Sequence, residues 1–138
     1  MLVDSNILVY SINTASPKHK TAQEFLLEEA SRLYFAQQNF FETLRILTHP
    51  KFPNPMSASS AIIAISQITN ALKIISPNHE TYYIAIELIR KYVIKSDKVF
   101  DAYLVATMFS NRIHTIATDN EKDFRVFQGV KVYNPFRQ

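Results

Sequence analysis

The chain has 138 residues, 47% hydrophobic and 12% aromatic, with a formal net charge of +3, so it is expected to form one globular domain over residues 1–138 with a full core. The absence of cysteine excludes disulfides, thiolate zinc sites and cysteine nucleophiles, and the single glycine, Gly129, excludes a dinucleotide-binding glycine fingerprint or a P-loop. No apolar run nears the roughly 20 residues that span a bilayer, and no basic region with a signal-type apolar stretch opens the chain, so a cytoplasmic protein without a membrane partner is expected. The positive charge favours a polyanionic partner.

Leu2 to Tyr10 is an apolar run interrupted by Asp4, Ser5 and Asn6. It reads as a strand buried on both faces of a parallel sheet, although a buried helix satisfies the same pattern. Ser16-Pro17 reads as an N-cap with proline at the first helical position, leading into a helix that continues over Thr21 to Ala30 with Phe25 and Leu26 inward. Ser31 to Ala36 is a second strand. Gln37 to Thr48 is a helix with Phe40, Leu44 and Leu47 on one stripe, ended by Pro50, Pro53 and Pro55. Ser57 opens a helix with the stripe Ala61, Ala64, Ile65, Ile68 and Leu72, and Lys73 to Ile75 is a short third strand. The helix from Ser76-Pro77 carries Ala85, Leu88, Ile89, Tyr92 and Val93, and another covers Val99 to Ser110. Ile113 to Ala117 and Val130 to Tyr133 are the last strands, separated by a loop and short helix. Strands alternating with helices imply right-handed crossovers and a doubly wound α/β domain with a five-stranded parallel sheet.

The acids fall at particular places in this pattern. Asp4 sits at the carboxyl end of the first strand, the edge where open α/β sheets bind ligands, yet it equally suits a helix N-cap. Asp101 shares a helical stripe with Leu104, Val105 and Met108, so it points inward, where it must be paired, bound to metal or protonated, unless it simply caps free N–H groups at a helix start. Glu42 is the one acid between Glu29 and Glu80, with an i,i+3 pair to Arg45 as its plain explanation. Thr118 and Glu121 fit a capping box, Asp119 follows the fourth strand directly, and Asp123 lies a helical turn later. Unit charges about 4 Å apart repel by roughly 4 kcal/mol at an effective dielectric near 20, so converging carboxylates call for a cation. Oxygen ligands select Mg²⁺ or Mn²⁺, which activate water and clamp the oxygens in phosphoryl transfer. His19, His49, His79 and His114 lack metal-ligand spacing.

Asp4-Ser5-Asn6-Ile7-Leu8-Val9-Tyr10, Glu42 within Phe41 to Pro50, Asp101-Ala102-Tyr103-Leu104, and Thr118-Asp119 followed by Asp123-Phe124 form an ordered set over almost the whole chain. Together they resemble the PIN-domain ribonucleases, in particular VapC-like toxins of toxin–antitoxin pairs; His49 to Pro55 and Val132 to Pro135 resemble one subgroup. The resemblance implies a sheet of order 3-2-1-4-5, an Mg²⁺- or Mn²⁺-dependent endoribonuclease using metal-activated water, frequent homodimerisation, and an inhibiting antitoxin. It implies Asp4, Glu42, Asp101 and Asp119 as metal-binding catalytic acids, with Asn6 and Thr118 orienting them. Asn120-Glu121-Lys122 separates Asp119 from Asp123 more widely than is usual in such sequences, leaving Asp123 as an alternate ligand. Lys18, Lys20, Arg45 and Lys98 are the candidates for holding an RNA backbone. Exposed apolar positions on the helices of Ser57 to Leu72 and Pro77 to Ile94 suit either a dimer or the core.

Two rival readings keep an α/β fold. A degenerate PIN-like module binding RNA or protein without catalysis is weakened by the intact acid set. A phosphoacceptor receiver-like domain expects paired acids near the first strand and a lysine after a late strand, where this chain has Asp4 alone and Asn134-Pro135.

Overall fold

Short apolar runs bounded by polar residues pair into strands of two or three residues, and the longer periodic segments between them coil over both faces of the sheet. The computed structural model describes residues 1–137. The strands are β1 (Leu2–Val3), β2 (Tyr34–Ala36), β3 (Lys73–Ile75), β4 (Thr115–Ala117) and β5 (Lys131–Tyr133). All pair in parallel, in the order β3-β2-β1-β4-β5. The helices are α1 (Ser5–Ile12), α2 (His19–Glu28), α3 (Gln37–Thr48), α4 (Ala58–Thr69), α5 (His79–Tyr92), α6 (Lys98–Ser110) and α7 (Glu121–Arg125).

Alternation along the strands divides the core. Leu2 and Ile116 face a cluster with Val105, Met108 and Phe124, against which Leu88, Ile89 and Tyr92 of α5 pack. Val3 and Ala117 face the opposite cluster of Ile7, Leu8, Phe25, Leu26 and Phe35. Leu47, Ala61 and Ile65 join α3 to α4 in a smaller third cluster. The chain reverses its winding at β1, which lies between β2 and β4. Ligand crevices of doubly wound sheets lie at such switch points, beyond the strands' carboxyl ends.

Several local expectations are corrected. The apolar run Leu2 to Tyr10 is a strand only through Val3, because Asp4, with φ −75° and ψ 157°, caps a helix. Its Oδ1 accepts the Ser5 N–H at 2.8 Å. Ile7 and Leu8 are fully buried on that helix, and full burial erases the periodicity that separates helix from strand. Capping and position at a strand end thus coincide in one carboxylate. Helix α2 begins at His19, while Ser16 Oγ accepts the Lys18 N–H at 3.1 Å in a turn before it. Residues Ala30–Arg32 form a 3₁₀ turn, shortening the strand expected from Ser31. Val93 leaves the buried stripe of α5, ending the helix in a left-handed conformation (φ 52°) at 80% exposure. The Thr118–Glu121 capping box does not form, since Thr118 and Glu121 are drawn into separate polar networks.

Ile116 is fully buried in the strand that carries Thr118 to the switch point. Ile116→Ala is expected to lower the free energy of unfolding by about 2–5 kcal/mol, read from the urea midpoint of the purified protein.

Candidate active site

Asp4 and Thr118 follow directly after β1 and β4, and the pairing of those strands brings the two side chains together. Thr118 Oγ1 donates to Asp4 Oδ2 at 2.7 Å, Asn6 Nδ2 donates to the same oxygen at 3.3 Å and to Thr118 Oγ1 at 3.1 Å, and Asn6 Oδ1 accepts the Asp119 N–H at 3.3 Å. Asn6 and Thr118 therefore fix the orientation of Asp4. Burial pushes the Asp4 carboxyl up to about 6 against the Thr118 and Ser5 hydrogen bonds, and the charges of Glu42 and Asp101 add to the rise.

Glu42 reaches this edge from the second turn of α3. Ser5 Oγ donates to Glu42 Oε2 and Gln38 Nε2 to Glu42 Oε1, both at 2.8 Å. Fully buried Asn39 accepts the Ala36 N–H at 2.8 Å and donates to Ser5 Oγ at 3.3 Å, tying the start of α3 to that of α1. The expected ion pair of Glu42 with Arg45 is not formed among the described residues. Both residues instead line a hollow of about 710 Å³ with Asp101, Asp97, Phe41 and Phe100.

Asp101 stands in the first turn of α6, half-buried, its carboxyl pushed up to about 6 by burial and then by the charges of Asp123 and Glu42, with Lys98 opposing. Asp123, on α7, accepts from Lys98 Nζ at 2.6 Å. Asp119 has different company. Its carboxylate takes Lys18 as ion-pair partner, the Tyr10 hydroxyl at 3.0 Å and Asn134 Nδ2 at 3.3 Å. Burial would raise its carboxyl, but these hydrogen bonds and the Lys18 charge hold it below the ordinary range. Asp4, Glu42, Asp101 and Asp123 thus share one electrostatic neighbourhood, and Asp119 is engaged elsewhere. Among the described residues, no three His, Asp or Glu side chains are gathered closely enough to hold a metal ion as they stand. Of the basic candidates, Lys18 and Lys98 are paired to Asp119 and Asp123, Lys20 stands 3.7 Å from Glu24 and exposed, and Arg45 faces the hollow.

Gln38 and Asn39, which with Ser5 hold Glu42 in place, were not singled out from the sequence, and Ser5 stood there only as a polar break in the first apolar run. The i,i+4 spacing of Gln38 and Glu42 carried that signal. The link from Asn39 to Ser5 spans two helices and left no local trace.

The donor set is all oxygen, and two of its carboxyls are strained toward neutrality, which suits a hard divalent cation. Without one, the folded Asp4 and Asp101 titrate near 6 while the unfolded carboxyls titrate near 3.8. The folded state then holds more protons, so this contribution to stability is complete below about pH 4 and is lost as pH rises through about 6. In EDTA the urea midpoint is expected to fall between pH 5 and 7.5. Asp101→Asn, with no charge to desolvate, should exceed wild type at pH 7.5 by on the order of 1 kcal/mol.

The family model described as PIN domain matches residues 1–129. The chain is 28% identical over 140 residues to ribonuclease VapC37 of Mycobacterium tuberculosis, covering 97% of this chain and 96% of that protein. In fold it is similar to a toxin–antitoxin complex from Klebsiella pneumoniae, with a TM-score of 0.69 at 19% identity over 99% of this chain and 98% of the other. It is similar also to VapBC2 of Rickettsia felis bound to a promoter DNA fragment, with a TM-score of 0.72 at 16% identity over 96% of both chains. The chain belongs to the PIN-domain family.

Proposed function

We propose that the protein is a divalent-metal-dependent endoribonuclease that hydrolyses RNA phosphodiester bonds, acting as the toxin of a toxin–antitoxin pair. The observation that carries this reading is the buried Asp4 carboxyl at the sheet's switch point, raised to about 6 with Glu42 and Asp101 adding to the rise. The relative named ribonuclease VapC37 supports the reaction, and the solved toxin–antitoxin complex supports an antitoxin partner.

Asp4, Glu42 and Asp101 would hold Mg²⁺ or Mn²⁺. Bound there, the metal supplies Lewis acidity that activates water and stabilises charge on the phosphate. Asn6 and Thr118 keep Asp4 aimed, while Ser5 and Gln38 do the same for Glu42. Asp123, whose charge acts on Asp101, is the better supported fourth acid. Asp119, expected from the family pattern to bind metal, is assigned here to anchoring Lys18 and Tyr10. Arg45 and Lys98 at the rim would hold the RNA backbone. The second reading is the non-catalytic module, favoured by the fact that no three acids among the described residues gather closely enough to hold a metal as they stand. That module would bind RNA equally with and without EDTA.

A homodimer is proposed through the exposed Tyr82, Tyr83 and Ile86 of α5, with elution at twice the monomer mass as its check. No helix among the described residues is long and apolar enough to cross a membrane.

Purified protein with a mixed RNA pool should cleave in Mg²⁺ or Mn²⁺ and stop in EDTA. Asp4→Asn and Asp101→Asn should each lower the rate by about a hundredfold or more, and Asp123→Asn should be more damaging than Asp119→Asn. Metal-dependent cleavage at an undiminished rate in Asp101→Asn would contradict the site.

A further inference from the structure

Beside the acidic hollow lies a second recess of about 330 Å³, walled by Phe41, Pro77, Phe100, Tyr103 and Thr107. Gln38, Phe41 and Phe100 line both recesses and form the wall they share. Phe41 and Phe100 are 64% and 62% exposed, whereas Phe25, Phe35, Phe124 and Phe127 are buried in the core. Exposed aromatic rings next to a charged cleft offer faces to which any nucleobase can stack.

The shared wall also carries an unsatisfied acceptor. Gln38 Nε2 donates to Glu42 Oε1 at 2.8 Å and to the Phe100 carbonyl at 3.0 Å. Both partners are pure acceptors, which fixes the amide orientation and directs Oε1 away from them. That oxygen is the one buried side-chain nitrogen or oxygen without a hydrogen-bond partner among the described residues. A buried acceptor without a partner is costly, and Gln38 is held there by its two donor bonds across the shared wall.

From this we infer that the recess receives an unstacked nucleobase of single-stranded RNA, lodged against Phe100 and Phe41, while the neighbouring phosphate enters the acidic hollow beside Arg45. This rests on the ribonuclease reading and deepens it by assigning a base-binding recess to Phe41 and Phe100 beside the acidic hollow. A base still stacked in a duplex cannot enter a side recess, so a paired substrate loses this contact. Gln38 couples the two recesses, since it touches both Glu42 and the Phe100 backbone. Phe41 and Phe100 act by positioning the strand.

The test uses a short single-stranded oligoribonucleotide carrying 2-aminopurine, titrated with the Asp101→Asn protein so that binding is read without cleavage. Stacking should quench the fluorescence. Phe100→Leu combined with Phe41→Leu should remove most of the quenching and weaken binding about ten- to a hundredfold, while the paired Tyr variants should restore both. In the active protein the Leu variant should cut single-stranded RNA with a raised KM and little change in kcat. Equal quenching and affinity in the Leu variant would overturn the base recess, and so would loss of affinity for a protein partner alone. If the Leu variant binds and quenches as the wild type does while the wild type cleaves RNA in Mn²⁺, the recess fails and the ribonuclease reading stands. If RNA is neither bound nor cut, both fail.

Discussion

Desolvating the Asp4 carboxylate is the cost that organises the structure around it. A carboxylate removed from water requires hydrogen-bond donors, a counter-charge or a proton. Here the donors come from three places: the backbone of Ser5, the amide of Asn6 and the hydroxyl of Thr118. They do not suffice, and the carboxyl stays raised to about 6. The neighbouring acids Glu42 and Asp101 increase the strain. A protein arranged for stability alone would place a lysine or arginine there. Lys18 instead pairs with Asp119, and Lys98 with Asp123.

The parallel sheet makes this placement possible. Because β1 lies between β2 and β4, the chain leaves the sheet toward α1, α3 and α7 around one edge, and the residues following each strand meet there. Asp4 and Thr118 come from strand ends, Glu42 from α3 and Asp101 from α6, so each contributor sits on an element locked by its own core cluster. Loops supply little of the site. Asp4 caps α1, Asp101 lies in the first turn of α6 and Glu42 in the second turn of α3, so in Asp4 a helix cap and a candidate site acid are the same residue.

Much of this was legible in the sequence, for identifiable reasons. Helix α3 begins and ends where its stripe and the following prolines indicate, and β3, β4 and β5 follow from short apolar runs. The order of the sheet came with the family resemblance and not from periodicity. Less visible was the switch from strand to helix at Asp4, because Ile7 and Leu8 are buried all round. Long-range hydrogen bonds were invisible too. Nothing local says that Thr118 would abandon a capping box for Asp4, or that Asn134 would reach Asp119 and Glu121. The pairing of Lys18 with Asp119 and of Lys98 with Asp123 depends on the same non-local geometry.

The central claim is that these raised carboxyls exist to meet a divalent cation. Metal ligation requires them deprotonated, so binding near pH 6 must expel protons. Calorimetric titration of Mn²⁺ into the protein, repeated in buffers of different ionisation enthalpy, measures that number directly. The account predicts release of about one proton per metal bound near pH 6, falling toward zero by pH 8. Absence of binding, or an enthalpy that is the same in every buffer at pH 6, would contradict it.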